Sequence, residues 1–162
     1  MTTGILGQEP IISSYTSFGQ SDEAKQLQHQ VMWRVIRLQD PVEYVEPYRR
    51  VHREMEEMFL ECLEHNWDGY GAKGVSFQSY EQAQRFIMAL PMQWLDLEVG
   101  VDPDGEFSFD WFGARGAVLT ISVGSNGQLT YAGRFGLARA HGLEFLSEDI
   151  PKEVLRCLSR LT

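Results

Sequence analysis

The 162-residue sequence has few cysteines and no pattern of metal ligands. Its two cysteines, Cys62 and Cys157, form no Cys-x-x-Cys motif, and both fall on apolar faces of predicted helices. A free cysteine on an apolar face behaves as a small hydrophobe, so we expect two reduced, buried thiols. The four histidines form neither an HxxxH nor an HExxH motif, which argues against a zinc site. The sequence therefore predicts neither a metal ion nor a cofactor.

Basic charge and long apolar runs are also scarce. The chain has 14 Lys and Arg against 23 Asp and Glu, giving a net charge of -9. Proteins that bind nucleic-acid phosphates usually carry a basic patch, and the clustered Arg49, Arg50 and Arg53 are surrounded by glutamates. No apolar run approaches the roughly 18 residues of a membrane span, and the chain does not open with a secretory signal. We therefore expect a cytoplasmic protein that binds neither nucleic acid nor a membrane.

Helical periodicity predicts four helices, at about 22–38, 48–64, 79–90 and 150–161. In each one the apolar residues recur at steps of three and four, which places them on one face. The first 20 residues lack this pattern and are rich in Gly, Ser, Thr and Gln, so they are predicted to form a loose arm. The remainder, 21–162, has a length typical of a single domain.

The middle third of the chain has the period of β-strands. Four stretches alternate apolar and polar residues: "LDLEVGV", "EFSFDWF", "AVLTISV" and "QLTYAGRF". Between them lie "DPDGE", "FGARG" and "GSNGQ", whose Gly and Asn residues tolerate the positive φ of tight hairpin turns. The sequence therefore predicts an α+β fold, with a four-stranded antiparallel meander at about 95–135 packed on one face by the helices.

Two stretches could carry chemistry. In "NWDGYGA" (66–72), the favoured interpretation is a structural turn, anchored by Trp67, with Asp68 bonding its own backbone and Gly69 and Gly71 at positive φ. The alternative is a loop that presents the Asp68 carboxylate to a ligand. His141, in "FGLARAHGLEF" after the last predicted strand, could act as a general base if it met that carboxylate. A hydrolase-like enzyme or ligand-binding domain would then require the two loops to converge on one pocket.

Several of these motifs together resemble a family of uncharacterised bacterial proteins. The resemblance rests on "NWDGYGA", a following helix that ends in "LP", "PDGEFSFDW", "LTISV" and "LTYAGRFG", and covers about Glu64 to Phe145. These proteins pair a W-D-G-x-G-A turn with a P-D-G-E hairpin and an aromatic strand. The family has no established activity, so the resemblance implies no catalytic residues. By analogy, it implies cargo of a mobile element or a partner of a neighbouring gene product.

The polar face of the predicted sheet is the strongest candidate for a binding surface. Strand alternation places on it four charged residues: Glu98, Glu106, Asp110 and Arg134. With no convincing catalytic constellation, the leading hypothesis is an acidic, non-enzymatic domain that binds another protein, as an inhibitor, antitoxin-like protein or mobile-element accessory protein would. A homo-oligomeric scaffold is a further alternative, and it would need an exposed aromatic patch drawn from Trp33, Tyr44 or Trp94.

Overall fold

The computed structural model describes residues 46–162, and these residues form an α+β fold. The predicted arm at 1–20, the predicted helix at 22–38 and the first part of the predicted 21–162 domain lie outside that range, as do Trp33 and Tyr44. In chain order the elements are α1 (Glu46–Glu61), α2 (Phe77–Ala89), β1 (Glu98–Val101), β2 (Phe107–Phe112), β3 (Val118–Val123), β4 (Gln128–Phe135), β5 (Ala138–Phe145) and α3 (Lys152–Leu158), with short 3-10 turns at Met92–Trp94 and Ala114–Gly116.

The sheet has five antiparallel strands in the order β1-β2-β3-β4-β5, so every strand pairs with its neighbour in sequence. The prediction of four strands was wrong by one, because β5 falls in the stretch predicted to be a loop. Its positions facing the helices hold Ala138, Ala140, Gly142 and Glu144, so the strand shows no alternation of large apolar residues. A two-residue loop joins β4 to β5, and Gly136 takes a φ of 65° there, as such tight loops favour.

The core lies between one face of the sheet and the helices. Phe107, Phe109 and Trp111 of β2 are buried on this face, in register with Val123, Ile121 and Leu119 of β3. Helix α2 contributes the buried side chains of Tyr80 and Phe86 to this core. The Phe86 ring stacks on Phe109 at 5.5 Å, and the Tyr80 ring meets Phe107 edge-on at 5.9 Å. Burying these rings fixes which face of the sheet is covered and which is left for other contacts.

The helix ends differ modestly from the predicted ones, for local reasons. Helix α1 ends at Glu61 rather than near 64, and the carbonyl of the next residue, Cys62, accepts a hydrogen bond from Val75 N at 2.9 Å. Helix α2 begins just after Ser76, whose hydroxyl accepts a hydrogen bond from Ser79 N at 3.1 Å and so caps the first turn. Helix α3 is shorter than predicted, because the chain after Leu158 forms tight turns instead.

Candidate functional site

The sheet face turned away from α1 and α2, here called the outer face, collects polar side chains from all five strands. Cross-strand pairing arranges its residues in rows: Glu98, Asp110, Thr120, Ala132 and His141; then Gly100, Ser108, Ser122, Thr130 and Leu143; then Phe112, Val118, Arg134 and Arg139. Glu106, one residue before β2, continues the same alternation at the hairpin end. The four charged residues selected from the sequence, Glu98, Glu106, Asp110 and Arg134, thus lie on one surface.

One half of the outer face, on β1 and β2, is acidic. Ser122 Oγ donates a 2.6 Å hydrogen bond to Asp102, and Thr120 Oγ1 donates a short one to Asp110, so hydroxyls of β3 fix two of the carboxylates. Burial raises the pKa of Glu106 above its ordinary value, and the nearby carboxylates of Asp104 and Asp102 raise it further. The result is a concentrated negative potential near the β1–β2 hairpin.

The other half, on β4 and β5, is basic. Arg134 and Arg139 are directly opposed across the two strands, and His141 follows in the neighbouring row. All three residues are exposed, and they line a shallow depression of about 380 Å³. Arg134 Nη2 lies 3.5 Å from the carbonyl oxygen of Gly116, which holds its guanidinium toward the end of the sheet. Charge is therefore separated across the outer face, from acidic at β1–β2 to basic at β4–β5.

Large apolar side chains accompany the charges on the same surface. Phe112 is 64% exposed, Leu143 51% and Phe145 59%. By strand alternation, all three point to the outer face. Arg139, Leu143 and Phe145 were not among the residues selected from the sequence, because β5 was not recognised as a strand. The signal that could have revealed it is the regular alternation of small and large side chains in "ARAHGLEF".

The "NWDGYGA" stretch forms a compact turn after α1. Asp68 Oδ1 accepts hydrogen bonds from the backbone N–H groups of Tyr70 at 2.8 Å and Ala72 at 3.0 Å, and these bonds lower the pKa of Asp68. Gly69 and Gly71 have φ values of 77° and 97°. Trp67 is half-buried, and its Nε1 donates to the carbonyl of Lys73 at 3.1 Å. The carboxylate of Asp68 is therefore engaged in holding its own turn.

Asp68 and His141 do not come together. The segment after the Asp68 turn is tied to the β1–β2 hairpin, since Lys73 N donates to the carbonyl of Pro103 at 2.8 Å. His141 lies within β5 rather than on a loop, and it pairs with Ala132. Three to four strand spacings separate these places, roughly 14–19 Å. Asp68 and His141 therefore do not form the single pocket that an enzyme using both residues would need.

Within residues 46–162, no three His, Cys, Asp or Glu side chains are grouped so that they could hold a metal ion. No helix in the same range is long and apolar enough to cross a membrane. No protein-family model matches the chain, and no curated protein or solved structure matches it significantly. The function therefore has to be inferred from the chemistry of the outer face.

Proposed function

We propose that this acidic protein is a protein-binding domain and that the outer face of its sheet is the docking surface. One observation carries the proposal: three kinds of side chain share the surface opposite the helices. They are carboxylates held by hydrogen bonds, two arginines that face each other across β4 and β5, and three exposed large apolar residues. Apolar anchors surrounded by charged groups are the usual anatomy of a protein interface. Single exposed apolar residues are normal on a surface, but Leu143 and Phe145 are neighbours on the outer face of β5 and together add apolar area to the charged surface.

The charge pattern specifies the chemistry of the partner. The acidic half, with Glu98, Asp110 and Glu106, fits basic side chains on the partner, and the central hydroxyls of β3 can contribute hydrogen bonds. Phe112 and Phe145, near opposite ends of the strands, provide apolar contacts. Electrostatic complementarity of this kind mainly accelerates association and selects the partner. The complex should therefore weaken as salt concentration rises.

The size of the outer face limits the contact area that it can offer a partner. Four strand spacings by about six residues give a face of roughly 19 Å by 20 Å, or about 400 Å² in projection. A standard interface buries about 800 Å² on each partner, so the outer face by itself corresponds to a small, transient contact. An inhibitor, antitoxin-like protein or mobile-element accessory protein could use such a surface without catalysis. A tighter complex would need contacts beyond the outer face.

The experiment that tests this proposal begins with the tagged full-length protein in its native host. Because the contact is transient, the complex is cross-linked before lysis, and a single dominant cross-linked protein is the expected result. Binding of that partner should then weaken for Glu98→Lys and Glu106→Lys, each of which reverses a charge on the outer face. Glu81→Lys is the matched control, because it makes the same charge change at an exposed position of α2.

Two outcomes would contradict the docking surface. Recovery of the cross-linked protein without a dominant protein partner would remove the main support for protein binding. Equal affinities for the outer-face variants and for Glu81→Lys, with circular dichroism showing that all are folded, would move the binding site elsewhere.

A further inference from the structure

The opposed arginines on β4 and β5 are an electrostatic conflict in the folded chain. Arg134 and Arg139 face each other across the strand pair, and like charges at such positions are destabilising. Within residues 46–162, neither guanidinium forms an ion pair with a carboxylate. This lack of compensation stands out in a chain with 23 acidic and 14 basic residues. A bound anion would relieve the conflict.

The surface around these arginines is shaped to admit a small ligand. The depression of about 380 Å³ is lined by the two arginines and His141 together with Val118, Ala132, Gly133 and Ala140. Three of these last four residues are alanine or glycine, which add little side-chain bulk beside the cationic groups. A volume of this order falls within the range of small-molecule sites.

We propose that this depression, here called the arginine site, binds a small oxyanion of the phosphate type. Guanidinium groups present a planar fork of N–H donors that matches phosphate oxygens, and two of them can each engage a different pair of oxygens. A phosphate monoester carries a charge of about -1.5 to -2 at neutral pH, which balances two arginines, whereas a simple carboxylate balances one. His141, in the next row, lines the same depression, and its imidazole N–H is a further hydrogen-bond donor there.

This inference does not depend on a protein partner. The arginine site occupies the β4–β5 half of the outer face, whereas the carboxylates that attract a basic partner lie on and beside β1 and β2. Failure to find a protein partner would therefore leave the arginine site untouched. Loss of anion binding would leave the acidic half equally available for docking.

The test is a titration of the full-length protein with inorganic phosphate, followed by amide chemical shifts in NMR spectra. Parallel titrations use sodium chloride and sodium acetate at matched ionic strength and pH. Saturable shifts confined to residues near 118, 132–134 and 139–141, seen with phosphate and weaker with acetate, are the expected result. Identical shifts with chloride would overturn the proposal, because they would show only screening. Equal binding of acetate would overturn the assignment to phosphate-type anions.

A variant of Arg139 distinguishes a specific contact with phosphate from the effect of the overall charge of the protein. Arg139→Gln should weaken phosphate binding by up to about fivefold, the factor that one well-formed exposed ion pair can supply. Arg85→Gln is the control, since Arg85 is exposed on α2 and its removal changes the net charge by the same amount. An unchanged phosphate affinity in Arg139→Gln would contradict the site.

Thermal unfolding supplies a second measurement that does not rely on NMR shifts. Phosphate should raise the Tm of the wild-type protein above its value in chloride at the same ionic strength. In Arg139→Gln the phosphate effect should shrink, while the Tm without phosphate should be equal to or above that of the wild type, because the like-charge contact is gone. The same phosphate-induced rise in both proteins would refute the role of Arg139.

Discussion

Replacing Gly74 by alanine should destabilise the domain, because three backbone segments pass close to one another at this residue. A Cβ atom at position 74 would lie 2.2 Å from the carbonyl oxygen of Leu63, just after α1. On its other side, the carbonyl of Gly74 lies 2.8 Å from the position that a Cβ on Gly105 would take. These neighbours are backbone atoms, so no side-chain rotation can relieve the overlap.

The cost can be estimated from the bonds that a shift would strain. Moving the segment around Gly74 away from α1 stretches the Val75 N to Cys62 O hydrogen bond of 2.9 Å and the Asn66 N to Ala72 O bond of 2.7 Å. Each is worth about 0.5–1.5 kcal/mol in net stability. Accepting the overlap instead costs a similar amount, typically about 1–3 kcal/mol. The expected loss for Gly74→Ala is therefore about 2 kcal/mol, the middle of both ranges.

Urea unfolding followed by tryptophan fluorescence measures this loss directly. With a slope of about 2 kcal/mol/M, the midpoint should fall by roughly 1 M. Gly100→Ala is the matched control: its Cβ would lie 3.0 Å from Ser108 Oγ, an atom that can rotate away, and alanine suits a strand better than glycine. The control should stay within about 1 kcal/mol of the wild type. A Gly74→Ala protein as stable as the control would refute the argument from backbone contact.

Three further outcomes follow from the remaining described residues. Backbone hydrogen bonds lower the pKa of Asp68 in the folded protein below its unfolded-state pKa, which is near 4. They stabilise the fold fully above the unfolded-state pKa, and this stabilisation is lost as the pH falls through the folded-state pKa. Asp68→Asn should consequently lose less stability than the wild type as the pH falls below about 4, and parallel acid-unfolding curves would contradict this. Trp67→Phe removes the hydrogen bond to Lys73 and should lower the free energy of unfolding in urea by about 0.5–1.5 kcal/mol; an unchanged value would show that the bond has no net effect. Burial raises the pKa of both thiols, Cys62 and Cys157, so a thiol reagent should modify them only as the protein unfolds, and rapid labelling under native conditions would show that one is accessible.

Local signals in the sequence were sufficient for much of the fold. The alternation in "EFSFDWF" predicted which side chains of β2 enter the core, since neighbouring residues of a strand point to opposite faces whatever their surroundings. The same rule placed Glu98, Asp110 and Arg134 on one surface. The glycines of "NWDGYGA" predicted a turn, and both Gly69 and Gly71 take positive φ. Such features depend on a few adjacent residues, so they can be recognised before any long-range contact is known.

What the sequence by itself determined, then, was an acidic α+β domain, the alternation of its strands and the chemistry of its tight turns. The tertiary structure alone decided that β5 completes the sheet. A Cβ atom at Gly142 would lie 2.4 Å from Tyr131 Oη, so the Tyr131 ring fills the space next to this residue. A large apolar side chain at 142, which would have marked the strand in the sequence, therefore has no room. The register of β4 with β5 likewise brought Arg134 opposite Arg139, and the strand order held Asp68 and His141 apart. Register and strand order arise from contacts between distant residues, which no short stretch of sequence encodes.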